Sequence, residues 1–220
     1  RCLKNQKNVE IHYLTKSEYS IILESNPYID KIFLLKNNFR SLLSELKFEQ
    51  YDLLIDLHNN IRSYWIRLNL RVNNYVFKKQ NWKKYLFIYF NKNYLKHHVV
   101  DRYFQTVNKI QVINDGNGLD YFLNNKISVD FNINQKFIAW SIGASFSQKK
   151  ISKKQIINVC NYLSDPIVLL GGLDEYEIGQ EISTKSTHNH IYNFCGQLSL
   201  DDSAYLLKKS HLVLTNDTGL

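Results

Sequence analysis

The sequence predicts an α/β protein built on parallel β-sheets. Apolar runs of strand length alternate with segments whose apolar residues recur at helical spacing, a pattern typical of repeated strand–helix–strand units. The run Tyr51–His58 is apolar enough to be a strand covered on both faces. The alternation starts again after a polar segment at 114–125 that has no apolar period. Two successive doubly wound domains are therefore expected.

In the first half, strands are predicted where apolar residues run together, and helices where they recur every three or four positions. Asn26 and Pro27 mark a turn, and Arg1–Lys7 has the composition of the last turns of a helix. The predicted elements are a strand at Val9–Leu14, a short helix at Ser17–Ser25 capped by Thr15 or Ser17, a strand at Lys31–Leu35, a helix at Phe39–Phe48, the strand in Tyr51–His58 and a helix within His97–Ile110.

The second half repeats the same order, which places the domain boundary in the polar segment, with domains at 1–125 and 126–220. A cleft between two such domains is the expected ligand site. The predicted elements are strands at Lys136–Ile142, Pro166–Leu170, Ile191–Phe194 and His211–Thr215, with helices at Lys153–Leu163, Tyr176–Ser183 and Ser199–Lys209, the last capped by Ser199.

Composition excludes several classes of protein. A chain of 220 residues that is 44% hydrophobic and 22% charged can bury a core without a metal or a disulfide. It has no apolar run long enough to span a membrane. Cys2, Cys160 and Cys195 are odd in number and lie outside metal-ligand spacing, so reduced thiols are expected, and neither a metal nor a cofactor is predicted. The abrupt beginning and end predict a fragment that lacks both termini.

The net charge of +8 is most visible in residues 78–102, where Lys and Arg alternate with aromatic side chains. This mixture could bind nucleic acid, lie against an anionic membrane or accept an acidic glycolipid. Solvated lysines encoded by an AT-rich genome are the simplest explanation. Because no nucleic-acid motif surrounds the stretch, a basic amphipathic surface that binds anionic vesicles in a salt-sensitive way is expected.

Loops with the chemistry of an anion site follow two strands of the second half. Gly143 and Ser145 come directly after a strand, with Lys149 a few residues further on. A glycine lets a phosphate approach the backbone, and the serine and lysine supply a donor and a charge. Gly171 and Gly172 follow the next strand. The first loop is neither a Walker A nor a GxGxxG motif, so a plain turn between strand and helix stays an alternative.

Acidic residues follow these glycines and the last strand. An acidic side chain at Asp174 or Glu175 could accept hydrogen bonds from ribose, although carboxylates also stabilise a first helical turn. The last strand runs into Asn216-Asp217-Thr218-Gly219, a turn that would suit an anion or simply cap a helix. In the first half, His58, Asn60 and Arg62 follow a strand, where a capped helix starting at Asn59 or Asn60 is an equal alternative.

Six segments in order resemble the bacterial ADP-heptose:lipopolysaccharide heptosyltransferases of glycosyltransferase family nine. They include the run Tyr51–Ser63 and the Thr-Asn-Asp-Thr-Gly turn at 215–219. The other four are His98–Tyr103, Gly143–Ser145 with Lys149, Val168–Gly172 with Glu175, and Asn193–Gly196 with Leu198–Leu200.

The resemblance implies a GT-B fold, in which two Rossmann-like domains hold the acceptor and the nucleotide sugar. The acceptor-side domain would be 1–125, with Asn60, Arg62 and Ser63 on the acceptor side, and the donor domain would be 126–220. Lys149 and Asp217 would be catalytic, without a metal. The implied donor-binding residues are Gly143, Ser145, Lys149, Glu175, Asp217, Thr218 and Gly219.

Some assignments within the resemblance stay open. Ile151 and Ser152 follow the lysine pair where relatives often have Trp-Pro or Leu-Pro, so Lys150 is an alternative to Lys149, and Glu177 is an alternative to Glu175. The family's general base, an aspartate in a Gly-Asp turn, would precede Arg1. A histidine expected after Gly219 would follow Leu220.

The implied activity is transfer of a heptose or related sugar from an ADP-sugar to a lipopolysaccharide core acceptor. The enzyme would be cytoplasmic and peripheral at the inner face of the bacterial inner membrane, in contact with anionic lipid, and no nucleic-acid partner is expected. Another GT-B nucleotide-sugar enzyme, a transferase or an epimerase, is the alternative of the same class. A basic nucleic-acid-binding module is the alternative from another class.

Overall fold

The computed structural model describes residues 1–35, 38–79, 89, 98–124, 126–129, 131 and 135–216. The chain divides into two units, Arg1–Phe122 and Leu123–Leu220. Every strand pairing in the described ranges is parallel, so the predicted α/β class with parallel sheets is confirmed. None of the helices within these ranges is long and apolar enough to cross a bilayer.

The first unit contains two parallel strand pairs, each followed by helical segments. Its strands are β1 (His12–Thr15), β2 (Lys31–Leu34), β3 (Leu53–Asp56) and β4 (Asn73–Val76), with β1 paired to β2 and β3 paired to β4. Its helices are α1 (Cys2–Gln6), α2 (Phe39–Phe48), α3 (Ile61–Leu70) and α4 (Val99–Val107), with 3₁₀ turns at Ser17–Ile22 and Asn108–Ile110.

Caps and a small apolar core position the helices of this unit. The Asn38 side chain accepts a hydrogen bond from the Ser41 N–H at the start of α2. The inner faces of α2 and α3 supply Leu42, Leu46 and Ile66, which pack with Phe33 of β2. Burying these side chains is the main stabilising contribution to the unit, at about 1.5–3 kcal/mol for each fully buried large side chain.

The second unit is a four-stranded parallel sheet in the order β7-β6-β5-β8. Its strands are β5 (Ile138–Ser141), β6 (Ile167–Leu170), β7 (Ile191–Asn193) and β8 (Leu212–Thr215). Its helices are α5 (Lys153–Tyr162), α6 (Tyr176–Lys185) and α7 (Leu200–Lys209), with 3₁₀ turns at Ser147–Lys149 and Leu173–Glu175. The chain steps from β5 to β6 to β7, then returns to lay β8 on the opposite side of β5.

Both faces of this sheet are covered. All residues of β5 and β6 are buried, as expected for central strands of a parallel sheet. One face packs Trp140 and Leu169 against Ile156 and Ile182 of α5 and α6. The other packs Ala139 and Leu170 against helix α7. Because both faces are buried, the central strands of this sheet are continuously apolar instead of alternating between apolar and polar residues.

The buried Asp202 carboxylate joins the beginning of the second unit to helix α7. It accepts hydrogen bonds from the Ser128 N–H and hydroxyl, both at 2.8 Å, from the Val129 N–H at 3.1 Å and from the Ser199 hydroxyl at 2.7 Å. Burial alone would raise the pKa of Asp202, but the hydrogen bonds from Ser199, Ser128 and Val129 together lower it to about 2.

The predicted helices at Phe39–Phe48 and in the second half are confirmed to within about two residues at their ends. Strand β4 was not predicted, because Asn73 and Asn74 interrupt its apolar pattern. The helix predicted at Ser17–Ser25 is a 3₁₀ turn, and the first strand begins at His12 instead of Val9. The prediction that the Tyr51–His58 strand is covered on both faces was wrong, since most of β3 is only partly buried.

Asp202→Ala is expected to lower the free energy of unfolding by roughly 2–4 kcal/mol, since it removes a buried acceptor of four hydrogen bonds. The folded-state pKa lies below the usual aspartate value, so this stabilisation is present above pH about 4 and is lost as pH falls toward 2. Urea unfolding at pH 7 and at pH 3 measures both effects. Asp52→Asn, at an exposed position, is the control. Equal destabilisation of the two variants would contradict the anchoring role.

Gly179→Ala is expected to destabilise the chain, although alanine is normally favoured over glycine inside a helix by about 1 kcal/mol. A Cβ at Gly179 would lie 2.2 Å from Asn193 Oδ1. The Asn193 amide donates to the Tyr176 carbonyl and its Oδ1 accepts from the Cys195 N–H, so the side chain has no room to move without losing these bonds. Thermal unfolding against Thr184→Ala on the same helix tests this. A Gly179→Ala variant that melts at a higher temperature than wild type would refute the close contact.

Candidate functional site

Loops from the carboxyl ends of the central strands meet at one edge of the second sheet. The connection after β5 leads to α5 and that after β6 leads to α6, whereas β8 approaches β5 from the other side. The order of strands therefore reverses between β5 and β8. In open parallel sheets this reversal leaves a crevice at the carboxyl edge, because the adjoining loops diverge to opposite faces.

An open pocket of about 450 Å³ lies at this edge. Its walls are the loops that follow β5 and β6. The lining residues are Gly143, Ala144, Ser145, Ser147, Lys150, Gly171, Gly172, Asp174 and Glu175. The lining combines small residues, hydroxyl groups, one cation and two carboxylates, which is the lining of a polar ligand site rather than of an apolar cavity.

The Glu175 carboxylate is the most enclosed charge in this pocket. Its side chain is 9% exposed. The Lys150 ammonium donates to Glu175 Oε1 at 2.7 Å, and the Gly172 N–H donates to Oε2 at 3.1 Å. Both carboxylate oxygens are thereby partnered, as a buried charge requires.

Glycines make room for Glu175. A Cβ at Gly143 would lie 3.2 Å from Glu175 Oε2, and a Cβ at Gly171 would lie 2.9 Å from the Glu175 Cβ and 3.2 Å from Cys195 Sγ. At Gly196 the backbone has a φ of +69°, and a Cβ there would lie 2.9 Å from the Leu173 backbone. Glycine at these three positions lets the strand ends and the 3₁₀ turn come into contact.

Asn216 connects the last strand to the pocket. It is buried directly after β8, and its amide nitrogen donates to the Ile142 carbonyl at 2.8 Å and to the Gly143 carbonyl at 3.3 Å. The two bonds hold the first residues of the Gly143–Ser145 loop at the point where β5 and β8 separate. A buried side chain with two backbone acceptors restricts the loop more strongly than a solvated turn would.

The chemistry of the pocket suits a ligand with an anionic group and neighbouring hydroxyls. Backbone N–H groups and the hydroxyls of Ser145 and Ser147 can donate to phosphate oxygens, and Lys150 adds positive charge. The carboxylates of Asp174 and Glu175 can accept hydrogen bonds from sugar hydroxyls. Within the described residues, no group of three or more His, Cys, Asp or Glu side chains could hold a metal ion.

The structure brings together Gly143, Ser145 and Glu175 of the predicted donor site. Of the two lysines left open by the sequence, Lys150 lines the pocket, and Lys149 ends the adjoining 3₁₀ turn. Of the two glutamates, Glu175 lines the pocket, and Glu177 is exposed in the first turn of α6. The predicted residues Asp217, Thr218 and Gly219 lie outside the described residues.

The predicted acceptor-side residues lie at the start of α3 in the first unit. Asn60 and Ser63 form a capping box: the Asn60 side chain accepts from the Ser63 N–H, and the Ser63 hydroxyl accepts from the Asn60 N–H, both at 2.9 Å. Arg62 is exposed beside them. The alternative of a capped helix is thus correct in its geometry, and the role of these residues toward an acceptor stays a prediction.

The turn before α3 is held by the buried Asp56. Its carboxylate accepts from the His58 N–H at 3.0 Å and from the Asn59 N–H at 2.7 Å, while Asn59 adopts a positive φ of 45°. Arg67 lies 3.3 Å from the second carboxylate oxygen, without the alignment of a hydrogen bond. Asp56 was not among the predicted site residues, and its role here is to shape the loop.

Sequence reasoning missed two contacts that shape the pocket. The Lys150–Glu175 pair joins residues 25 positions apart, and the Asn216 amide reaches carbonyls more than 70 positions away. The Lys149-Lys150 pair was a signal for the first. For the second, the only signal was an asparagine at the end of a buried strand, which has many simpler explanations.

The model of glycosyltransferase family 9 (heptosyltransferase) matches residues 39–220. A lipopolysaccharide heptosyltransferase 1 from Campylobacter coli is 24% identical over 247 residues, an alignment that covers 98% of this chain and 72% of that protein.

Solved structures share the fold. A family 9 glycosyltransferase from Veillonella parvula superposes with a TM-score of 0.77 at 18% identity, covering 99% of this chain and 69% of that one. An E. coli heptosyltransferase solved with ADP gives a TM-score of 0.69 at 14% identity, covering 98% and 73%. The E. coli ADP-heptose lipopolysaccharide heptosyltransferase II gives 0.66 at 16%, covering 99% and 73%.

Two of the three thiols are expected to be inert in the native protein. Cys160 and Cys195 are fully buried; burial raises the pKa of Cys160 to about 11, and burial together with the nearby Glu175 charge raises that of Cys195 to about 12. Because the thiolate is the reactive species, only Cys2 should react rapidly with a disulfide reagent at pH 8. Titration in urea, where all three should react, is the control. Rapid native labelling of two or more thiols would contradict this packing.

Proposed function

Since the chain belongs to glycosyltransferase family 9 and is a glycosyltransferase of the GT-B type, we propose that it transfers a heptose or a related sugar from an ADP-sugar to a lipopolysaccharide core acceptor. The observation that carries the donor part of this proposal is the pocket at the edge of the second sheet. Its cation, small residues and enclosed carboxylate suit a nucleoside diphosphate.

In the proposed donor complex, the diphosphate lies against the Gly143–Ser145 loop. The absence of a side chain at Gly143 allows close approach, and the Ser145 hydroxyl donates a hydrogen bond. Glu175 accepts hydrogen bonds from the ribose hydroxyls, because a carboxylate retains acceptor sites after bonding Lys150 and the Gly172 N–H. From the family resemblance, Asp217, Thr218 and Gly219 complete the donor site.

We assign the two lysines separate roles. Lys150 holds the Glu175 carboxylate in position before the donor binds, through the 2.7 Å contact between them. Lys149, which the family resemblance assigns to the diphosphate, stabilises the leaving group. The ammonium groups of two consecutive lysines at the edge of the pocket can contact two neighbouring anions, a carboxylate and a phosphate.

The chemical step is displacement at the anomeric carbon. An acceptor hydroxyl, deprotonated by a general base, forms the new glycosidic bond while the bond to the diphosphate breaks and ADP leaves. Negative charge grows on the leaving oxygen, so a fixed cation and oriented N–H groups there bind the transition state more tightly than the ground state. In this proposal the chain achieves that without a metal, through Lys149 and the dipoles of the Gly143–Ser145 loop.

The acceptor side of the proposal concerns the first unit. Arg62 is exposed at the start of α3, where its guanidinium can pair with a phosphate or an acidic sugar of a lipopolysaccharide core. Asn60 and Ser63 hold the helix start that presents it. A chain that acts on such an acceptor would work at the cytoplasmic face of an anionic membrane, in peripheral contact with it.

Lys149→Ala in the full-length protein is expected to lower kcat/KM for the ADP-sugar by roughly 2–4 kcal/mol of transition-state stabilisation, with the loss in kcat. Lys150→Ala should act mainly on KM for the donor, since it disturbs the residue that contacts ribose. Lys154→Ala, an exposed lysine on α5, is the matched control. Initial rates with ADP-heptose and a lipopolysaccharide core acceptor measure all three.

A kcat loss for Lys150→Ala with unchanged kinetics for Lys149→Ala would exchange the two assignments. Unchanged kinetics for both variants would exclude Lys149 and Lys150 from the donor site. Replacing ADP-heptose by UDP- and GDP-sugars in the same assay tests the nucleotide. Efficient turnover of one of those, with none of the ADP-sugar, would favour a different GT-B activity.

A further inference from the structure

Helix α3 leaves an apolar stripe exposed to solvent. Ile61, Tyr64, Trp65 and Leu68 are 77%, 49%, 54% and 47% exposed. Their spacing of three, one and three residues places them on one face of the helix, while Ile66 faces the core of the first unit. A stripe with a tryptophan and a tyrosine exposed together is unusual for a surface in contact with water alone.

In the sequence, the segment that contains α3 carries charge of one sign. Between Asp56 and Asp101 the sequence has nine Lys or Arg residues and no Asp or Glu. The rest of the chain has 19 basic and 20 acidic residues, so the entire net positive charge belongs to this segment. On and next to α3, Arg62 and Arg71 are exposed, and the Arg67 guanidinium lies 5.4 Å from the centre of the Tyr64 ring.

We propose that this face of α3 is a membrane-docking surface that lies in the headgroup region of an anionic bilayer. Ile61 and Leu68 supply apolar side chains for the acyl boundary, and the amphipathic rings of Tyr64 and Trp65 suit the interface. The exposed arginines pair with lipid phosphates. A protein partner would need an acidic surface along the whole stripe, whereas an anionic bilayer provides that charge everywhere.

The basic surface that the sequence indicated at 78–102 stays a prediction beside the one on α3. Arg102, one of the basic residues of that stretch, is buried; it donates to the Lys78 carbonyl at 3.0 Å and lies 4.9 Å from the centre of the Phe77 ring. Most of the remaining stretch lies outside the described residues. The docking surface does not depend on which sugar or nucleotide the enzyme uses, so its test is separate from that of the proposed function.

The test is flotation of the full-length protein with vesicles of neutral phosphatidylcholine, with and without phosphatidylglycerol. We expect binding to the anionic vesicles only. Ile61→Ser with Leu68→Ser should lower the partition coefficient at least about tenfold, since two exposed side chains lose their apolar burial. Arg62→Gln should lower it about fivefold, with the difference disappearing at high salt. Phe48→Ser and Lys109→Gln, exposed elsewhere in the same unit, are the matched controls.

The fluorescence of Trp65 tests vesicle binding independently of flotation. In a Trp82→Phe background, its emission should shift to the blue on anionic vesicles and be quenched by brominated lipid, while the buried Trp140 contributes a constant signal. Circular dichroism and thermal unfolding of each variant verify the fold.

Unchanged Trp65 emission, equal partitioning of the α3 and control variants, or no vesicle binding at all would overturn the proposal. A soluble dimer abolished by the α3 variants, without vesicle binding, would instead identify a surface between copies of the chain.

Discussion

The pocket of the second unit depends on one buried charge, the Glu175 carboxylate. A carboxylate that is 9% exposed is stable only if its oxygens are partnered, and the chain supplies the Lys150 ammonium and the Gly172 N–H. The space for it exists because Gly143 and Gly171 have no side chains. Glycines, lysine and glutamate are therefore parts of a single arrangement, and losing any one of them disturbs the others.

The parallel sheet determines where this charge can lie. Strands β5 and β6 are buried on both faces, so polar groups of the central strands can reach solvent only at the strand ends. The reversal of strand order between β5 and β8 opens the carboxyl end, and Asn216 bonds the two sides together with its amide. The loops that follow β5 and β6 form the walls of the polar pocket, and the Asn216 bonds restrain the first of these loops.

In the first unit, the side chains that shape the start of α3 are different from those that carry its surface charge. The buried Asp56 and the half-buried Asn60 and Ser63 use their hydrogen-bonding capacity on the turn and cap that begin α3. The groups that remain for a partner are on the outer face of the helix, where exposed arginines flank apolar and aromatic side chains. One ten-residue helix thus combines a capped start directed by local sequence with an outer face that is exposed.

Local sequence determined most of the secondary structure. Helix α2 was predicted at both ends, because its cap and apolar spacing are encoded within a few residues, and strands β5 and β6 because buried parallel strands are continuously apolar. Gly143, Ser145 and Glu175 could be named as candidates because each follows a strand. Strand β4 was missed, since pairing with β3 rather than its own residues makes it a strand.

Only the tertiary structure decided which candidates meet. That Lys150 reaches Glu175, that Glu175 rather than Glu177 lies in the pocket, and that Asn216 bonds to the loop after β5 depend on strand order and on loop directions. It likewise buried Arg102 of the basic stretch 78–102 and exposed Trp65 on α3. Composition gives the charge and apolarity of a segment, but burial depends on residues far away in the sequence, which no local pattern contains.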